Sequence, residues 1–148
     1  MISNEPKRTL PHREPFLWVH RLMERNEAGT EGMVELDIHP EWDVFKGHFP
    51  GRPIFPGVLA MEAAAQACFW INMGVMPEGA AIPDVLFVSV ERYRFKRPVV
   101  PPATLQIRGK EIQSRGTLFL WDVEIHSAGQ LMSSGTFWMQ KTPKKLPA

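Results

Sequence analysis

The sequence predicts one α+β domain, residues 1–148, in which an antiparallel sheet of about six strands wraps around one long buried helix. Three observations predict it. A single stretch, Gly57–Met73, reads as a helix that is apolar on almost every face, and such a helix belongs inside a protein. Segments rich in β-branched and aromatic residues flank it, most in adjacent order with short turns between them, which favours antiparallel pairing. Finally, 148 residues of which 44% are hydrophobic leave room for one core and not two.

Taken in order, "PFLWVHRLMERN" has the composition of a strand and ends in the turn-rich "NEAGTEG". "MVELDIH" follows, with Met33/Val34, Leu36 and Ile38 alternating against polar neighbours, the period of a half-buried strand. The two form a hairpin. A Gly- and Pro-rich loop then leads into the helix, where Pro56 suits the first turn, and Gly74 and Pro77 close it. Four more strands are expected at "VLFVSVERYRF", "ATLQIRGKEIQ", "GTLFLWDVEIHS" and "QLMSSGTFWMQ", with "KRPVVPP", "SRG" and "SAG" as connections. The tail "KTPKKLPA" is expected to fray.

Composition excludes several classes of function. The apolar runs at 58–61 and 63–71 fall short of the roughly 20 residues that cross a bilayer. "MISNEPKRTL" has no signal-like apolar core, and the one cysteine, Cys68, has no internal disulfide partner, so a cytoplasmic setting is expected. A net charge of +1 gives no general attraction to nucleic acid. No cofactor is expected: His12, His20, His39, His48 and His126 are scattered, and no phosphate loop occurs.

Within the helix, Glu62 and Gln66 are the only polar residues before Asn72, and their i, i+4 spacing puts them on one face. A carboxyl in apolar surroundings without a cation responds by holding its proton, which makes it a candidate donor. Gly57, at the helix start, offers a backbone N–H to any oxygen on which negative charge develops. His48 lies shortly before it in "GHFPGRPIFPG". Each has a plainer reading: a structural histidine, a glutamate paired with an arginine, a glutamine filling a polar gap in the core. An imidazole, a glycine-rich loop, a helix N-terminus and a desolvated acid within fifteen residues read together as an acid–base site.

At these residues the chain resembles the β-hydroxyacyl-[acyl-carrier-protein] dehydratases of the hotdog fold, of the type whose helix acid is Glu. "LPHREPFLWVHR", "GHFPGRPIFPGVLAMEAAAQ" and "YRFKRPVVPPATL" are similar to that family's N-terminal segment, active-site signature and later strand and turn. The likeness is strong over about 10–105 and rests on pattern beyond. The related dehydratase-isomerases carry Asp where Glu62 stands, and short hotdog thioesterases generally lack the "GHFPG" loop. The resemblance implies that His48 takes the C2 proton of a 3-hydroxyacyl thioester. Gly57 N–H would then hold the thioester carbonyl, Glu62 protonate the C3 hydroxyl, and Gln66 position Glu62 or water, with Phe49 and Val58 in the substrate-binding set. It also implies a homodimer with His and Glu of each site drawn from opposite subunits, either alone or in an assembly of dimers.

The substrate of such an enzyme hangs on the phosphopantetheine arm of an acidic acyl carrier protein. In "ERYRFKRP", Arg92, Arg94 and Lys96 alternate and are expected on one strand face, joined by Arg97 and Arg52 as a docking patch; an ordinary solvated face is the plain alternative. The chain departs from the family at His20, Glu14 and Pro102, where Asp, an aromatic and Gly are usual. Phe55, Phe69 and Trp70 add bulk around the helix, expected to line and shorten the acyl pocket or else to pack the core. A specialised dehydratase of an aryl polyene or other secondary acyl pathway, a non-catalytic acyl-thioester binder and a thioesterase therefore remain alternatives.

Overall fold

The computed structural model describes residues 1–142. The strands are β1 Arg21–Arg25, β2 Glu31–Ile38, β3 Asp84–Phe95, β4 Ala103–Arg115, β5 Leu118–Ser127 and β6 Gln130–Thr142; the helices are α1 Val44–Gly47 and α2 Gly57–Met73. All six strands join one antiparallel sheet in the order β1-β2-β4-β5-β6-β3. The helix α2 packs on this sheet, chiefly against β2 and β4. This is the hotdog arrangement that the sequence led us to expect.

The alternation in the strands supplies the floor of the core. Val34 faces Ile107, which faces Ile125, a cross-strand row buried beneath the helix. Leu36, Leu105, Trp121, Val123, Phe137 and Met139 extend it. Small residues of α2, Ala60, Ala63, Ala64 and Ala67, let its backbone approach the sheet. The approach is tight at Gly109, where an added Cβ would lie 2.8 Å from Cys68 Sγ. At the other end of the helix, Gly74 takes φ 68° and its N–H bonds Trp70 O. Arg25 caps the same end, donating from Nε to Ile71 O at 2.6 Å and from Nη2 to Asn72 O at 3.0 Å.

Three expectations need correction. The strand read over 15–26 shrinks to Arg21–Arg25, because residues 16–18 bond to a helix side chain instead of a neighbouring strand: Gln66 accepts from Trp18 N–H and donates to Phe16 O. Lys141 and Thr142 pair with Val85 and Asp84 as the end of β6 and do not fray; the rest of the expected frayed tail lies outside the described residues. Pro56 is the residue preceding α2 rather than part of its first turn, and that turn is only partly buried, since Val58 is 67% exposed while Ala60 is buried.

The edge strand β3 differs from the rest of the sheet. Leu86, Phe87, Val88, Val90 and Phe95 are all exposed along it. Among the described residues, no helix is long and apolar enough to cross a membrane.

Candidate active site

His48 follows α1 and starts a loop that closes on itself. Phe49 and Arg52 exchange backbone bonds at 3.0 and 2.8 Å, Ile54 N–H donates to His48 O at 3.0 Å, and Phe55 N–H reaches Val99 O at 2.8 Å. Gly51, at φ 72°, makes the turn. The His48 Nδ1 sits 2.6 Å from Ile54 O. A carbonyl can only accept, so Nδ1 carries a hydrogen and, in the neutral ring, Nε2 keeps its lone pair. The loop's own carbonyl thereby sets the orientation and tautomer of the ring.

A cavity of about 360 Å³ opens beside it, lined by His48, Phe55, Gly57, Phe95, Lys96 and Arg97 among others. The first bonds of α2 run from Leu59 and Ala60 N–H to Pro56 O, and Pro56 gives no side-chain cap. The N–H groups of Gly57 and Val58 therefore have no acceptor among the described residues, at the positive end of a seventeen-residue helix. The Phe95 ring covers the bare face of Gly57, and a Cβ there would lie 2.7 Å from Phe95 Cε1. Phe49 stacks on the His48 ring with centroids 4.0 Å apart, and the Arg52 guanidinium lies 5.4 Å over Phe49.

Glu62 faces elsewhere. At about 100° per residue, Glu62 stands about 140° around α2 from Gly57 and about 160° from Ala60, which also lines the cavity. Its Oε2 accepts from Gln66 Nε2 at 3.0 Å and lies 3.5 Å from His12 Nε2. Gln66 is fully buried and spoken for at both ends: Oε1 accepts from Trp18 N–H at 2.8 Å, while Nε2 donates to Phe16 O as well as to Glu62. Burial pushes the Glu62 carboxyl above the usual range, and the Gln66 bond offsets part of that. Since Oε2 is held as an acceptor, Oε1 is the oxygen left free to carry a proton when the carboxyl is neutral. Thus one chain brings His48, Gly57 and Phe55, with Phe49 stacked on His48, to one side of α2, and Glu62 with Gln66 to the other; Val58, about 40° around the helix from Glu62, does not line the cavity.

The remaining expected residues divide. Lys96 and Arg97 line the cavity mouth, and Arg52 lies on the same loop as His48. The regular row of Arg92, Arg94 and Lys96 is broken, however: the register shifts between Glu91 and Arg94, Arg92 takes φ 51°, and Lys96 lies past the end of β3. A bulge adds one residue and so cancels the alternation on which one face depended. Phe69 and Trp70 are 1% and 0% exposed in the core and do not line the cavity, whereas Phe55 does. Sequence reasoning missed His12, treated as one of five scattered histidines. The signal was present in "LPHR", two residues after the buried Leu10, but nothing in the linear order says that this segment crosses the Glu62 face.

A family model for the FabA-like domain matches residues 10–135. The chain belongs to this family. The 3-hydroxyacyl-[acyl-carrier-protein] dehydratase FabZ of Paramagnetospirillum magneticum is 37% identical over 130 residues, covering 86% of this chain and 79% of that one. The FabZ of Saccharophagus degradans is 34% identical over 139 residues, covering 92% and 94%. Among solved structures, the dehydratase heterocomplex ApeI:P of Xenorhabdus doucetiae matches with a TM-score of 0.77 at 17% identity, covering 94% of this chain and 91% of that one. A hypothetical thioesterase with coenzyme A from Streptococcus pneumoniae matches at 0.59 and 14%, covering 85% and 89%. At such identities these two structures speak for the shared fold alone, while the FabA-like assignment rests on the sequence matches.

Proposed function

We propose that this FabA-like protein is a 3-hydroxyacyl-[acyl-carrier-protein] dehydratase, a hydro-lyase that converts a 3-hydroxyacyl thioester into the trans-2-enoyl thioester during fatty acid or related acyl-chain biosynthesis, in the cytoplasmic setting the sequence suggests. The observation that carries the reading is the pairing of a base-ready His48 Nε2 with the uncommitted N–H of Gly57 in one cavity, set against a desolvated acid on the opposite helix face.

The chemistry follows from those groups. With the thioester carbonyl on the N–H groups of Gly57 and Val58, His48 Nε2 removes a proton from C2 and charge moves onto the held oxygen. Electrons return to form the C2–C3 double bond as the C3–O bond breaks, and the proton on Glu62 Oε1 converts the departing hydroxyl to water. One proton passing from His48 to the carboxylate restores the resting state. Because His48 and Glu62 of one chain lie on opposite sides of α2, a complete site combines His48 with the partner subunit's Glu62. The exposed apolar edge of β3 supports pairing of two copies. Lys96, Arg97 and Arg52 form the cationic rim for an acidic carrier protein, with Arg94 and Arg92 beside it.

The test is to follow enoyl absorbance with a 3-hydroxyacyl chain on carrier protein and on free pantetheine. Turnover of both is expected, with Lys96→Glu/Arg97→Glu weakening only the carrier-borne reaction. Binding without any change in absorbance defeats the enzymatic reading.

A further inference from the structure

We propose that His12 is a positioning residue for the acid, its Nε2–H directed at Glu62 Oε2 so that the acid's proton is kept on Oε1. The inference rests on the reading of Glu62 as proton donor and adds to it a second donor, from a segment of the chain outside both the loop and the helix.

The geometry begins with Gln66. Its amide orientation is fixed by Trp18 N–H on one side and Phe16 O on the other, so only an N–H is left to face Glu62. Glu62 Oε2 must therefore accept. His12 Nε2 stands 3.5 Å from that same atom, with both side chains 17% exposed. With Oε2 the unprotonated oxygen, a bare Nε2 would set two lone pairs face to face in a desolvated place; with the hydrogen on Nε2, the contact is attractive. At 3.5 Å it is longer than a formed hydrogen bond, and a few tenths of an ångström of closure on substrate binding would complete it.

The segment is built to hold that ring in place. Thr9 Oγ1 donates to Gly74 O at 2.7 Å, Leu10 is fully buried, and Arg13 Nη1 donates to the carbonyls of Leu10 and His12 at 2.8 and 2.7 Å. Phe16 stacks against the imidazole, centroids 6.5 Å apart, while its carbonyl is the one Gln66 holds. His12 Nδ1 is buried with no partner among the described residues, an uncompensated polar atom that a purely structural ring would not require. The charged groups facing His12 are Glu62 from α2, Asp84 at the start of β3, and Arg13 on its own segment. Burial is the largest influence on the ring and lowers its pKa, so it stands neutral near pH 7. A neutral donor steadies the carboxylate as it forms without stripping the proton beforehand, which an imidazolium would do.

The test compares His12→Phe, which keeps a ring against Phe16, with His12→Gln, which restores an N–H donor that cannot be protonated, and uses Glu62→Gln as reference. For His12→Phe the expected kcat is about tenfold to a hundredfold lower, the size of one hydrogen bond to a charged group, with KM within about twofold. The alkaline limb of its kcat profile moves up, because the lost donor had favoured the carboxylate. His12→Gln recovers kcat to within about threefold of the wild type. Wild-type kcat and limb in His12→Phe, while Glu62→Gln is inactive, overturn this inference alone; an active Glu62→Gln removes the donor reading beneath it. A His12→Gln protein as impaired as His12→Phe assigns the ring to packing and also overturns it. NMR of the wild-type ring nitrogens needs no variant to fold: the hydrogen is expected on Nε2, and finding it on Nδ1 rejects the proposal.

Discussion

On the Gly57 side of α2 the polar groups around the cavity include uncommitted backbone N–H groups, one loop imidazole and the Lys96 and Arg97 cations; on the Glu62 side they are side chains bound to one another through Gln66. The first side is open, its donors uncommitted and its histidine tied only through Nδ1. The second is closed, since Gln66 has no exposed surface and Glu62 and His12 have little. Backbone donors at a helix start need only that nothing cap them, so small residues and proline suffice there. A buried carboxyl needs each neighbour to have the right polarity, because every unmatched donor or acceptor is costly. One side is thus specified by what is absent and the other by what is present.

The largest expected effects break the two sides separately. His48→Ala and Glu62→Gln should each lower turnover by about two to four powers of ten, with the fold kept. If the sides belong to different composite sites, mixing inactive His48→Ala and Glu62→Ala chains under subunit exchange should restore activity, up to about one of the two sites in each mixed dimer. No recovery in proven mixed dimers would place base and acid in one chain and undo the opposition.

The aromatic residues sharpen the contrast further down the helix. Trp70→Ala and Phe69→Ala should cost about 3 to 5 kcal/mol of stability, read from denaturant midpoints, with no change in acyl-chain preference. Phe55→Ala, at the cavity wall, should favour longer or bulkier chains relative to short ones. A selectivity shift in a folded Trp70→Ala protein would mean that the acyl chain reaches the core.

These assignments also mark what the sequence can carry. The bounds of α2 were legible at Gly57 and Met73 because Pro56, Gly74 and a run apolar but for Glu62, Gln66 and Asn72 are local signals. The strand alternation of β2 was legible for the same reason. The positions of Glu62 and Gln66 on one face followed from the helical period alone. What covers that face did not: His12, Phe16 and Trp18 lie about 50 residues from their partners, and Gln66 withdraws 16–18 from the sheet although their composition favours a strand. The broken row of Arg92, Arg94 and Lys96 failed on one inserted residue, which periodicity does not register. Phe69 and Trp70 were ambiguous between pocket and core because bulk beside a helix suits both.

Gln66 itself gives the next test. Gln66→Leu keeps the volume but leaves Trp18 N–H, Phe16 O and Glu62 Oε2 without their partner. Stability should fall by about 1 to 3 kcal/mol, measured by urea unfolding, and turnover should fall with it because Glu62 loses its hold. A Gln66→Leu protein of full stability would mean that water readily replaces the amide, and the second side would be as open as the first.

The smallest effect is the pH dependence of stability, and its sign separates a donor from an ion pair. Burial raises the Glu62 pKa above the ordinary 4.5 of the unfolded chain. Below pH 4.5 the group is protonated in both states and contributes no difference. As pH rises past that point the unfolded chain ionises freely while the folded protein resists, so stability is lost until the folded pKa is passed. Glu62→Gln, neutral throughout, should therefore be more stable than the wild type at neutral pH, with the gap closing toward pH 4.5. Asp37 supplies the opposite sign in the same molecule: Arg21 and Thr104 hold its carboxyl down to about 2, so Asp37→Asn should destabilise the protein at neutral pH and cease to matter as acid approaches that value. Unfolding free energies of the two variants, taken from pH 3 to 8, should diverge from the wild type in opposite directions. If Glu62→Gln instead follows Asp37→Asn, the helix acid is an ionised partner in a salt bridge, and the closed side of α2 holds a structural charge in place of a proton.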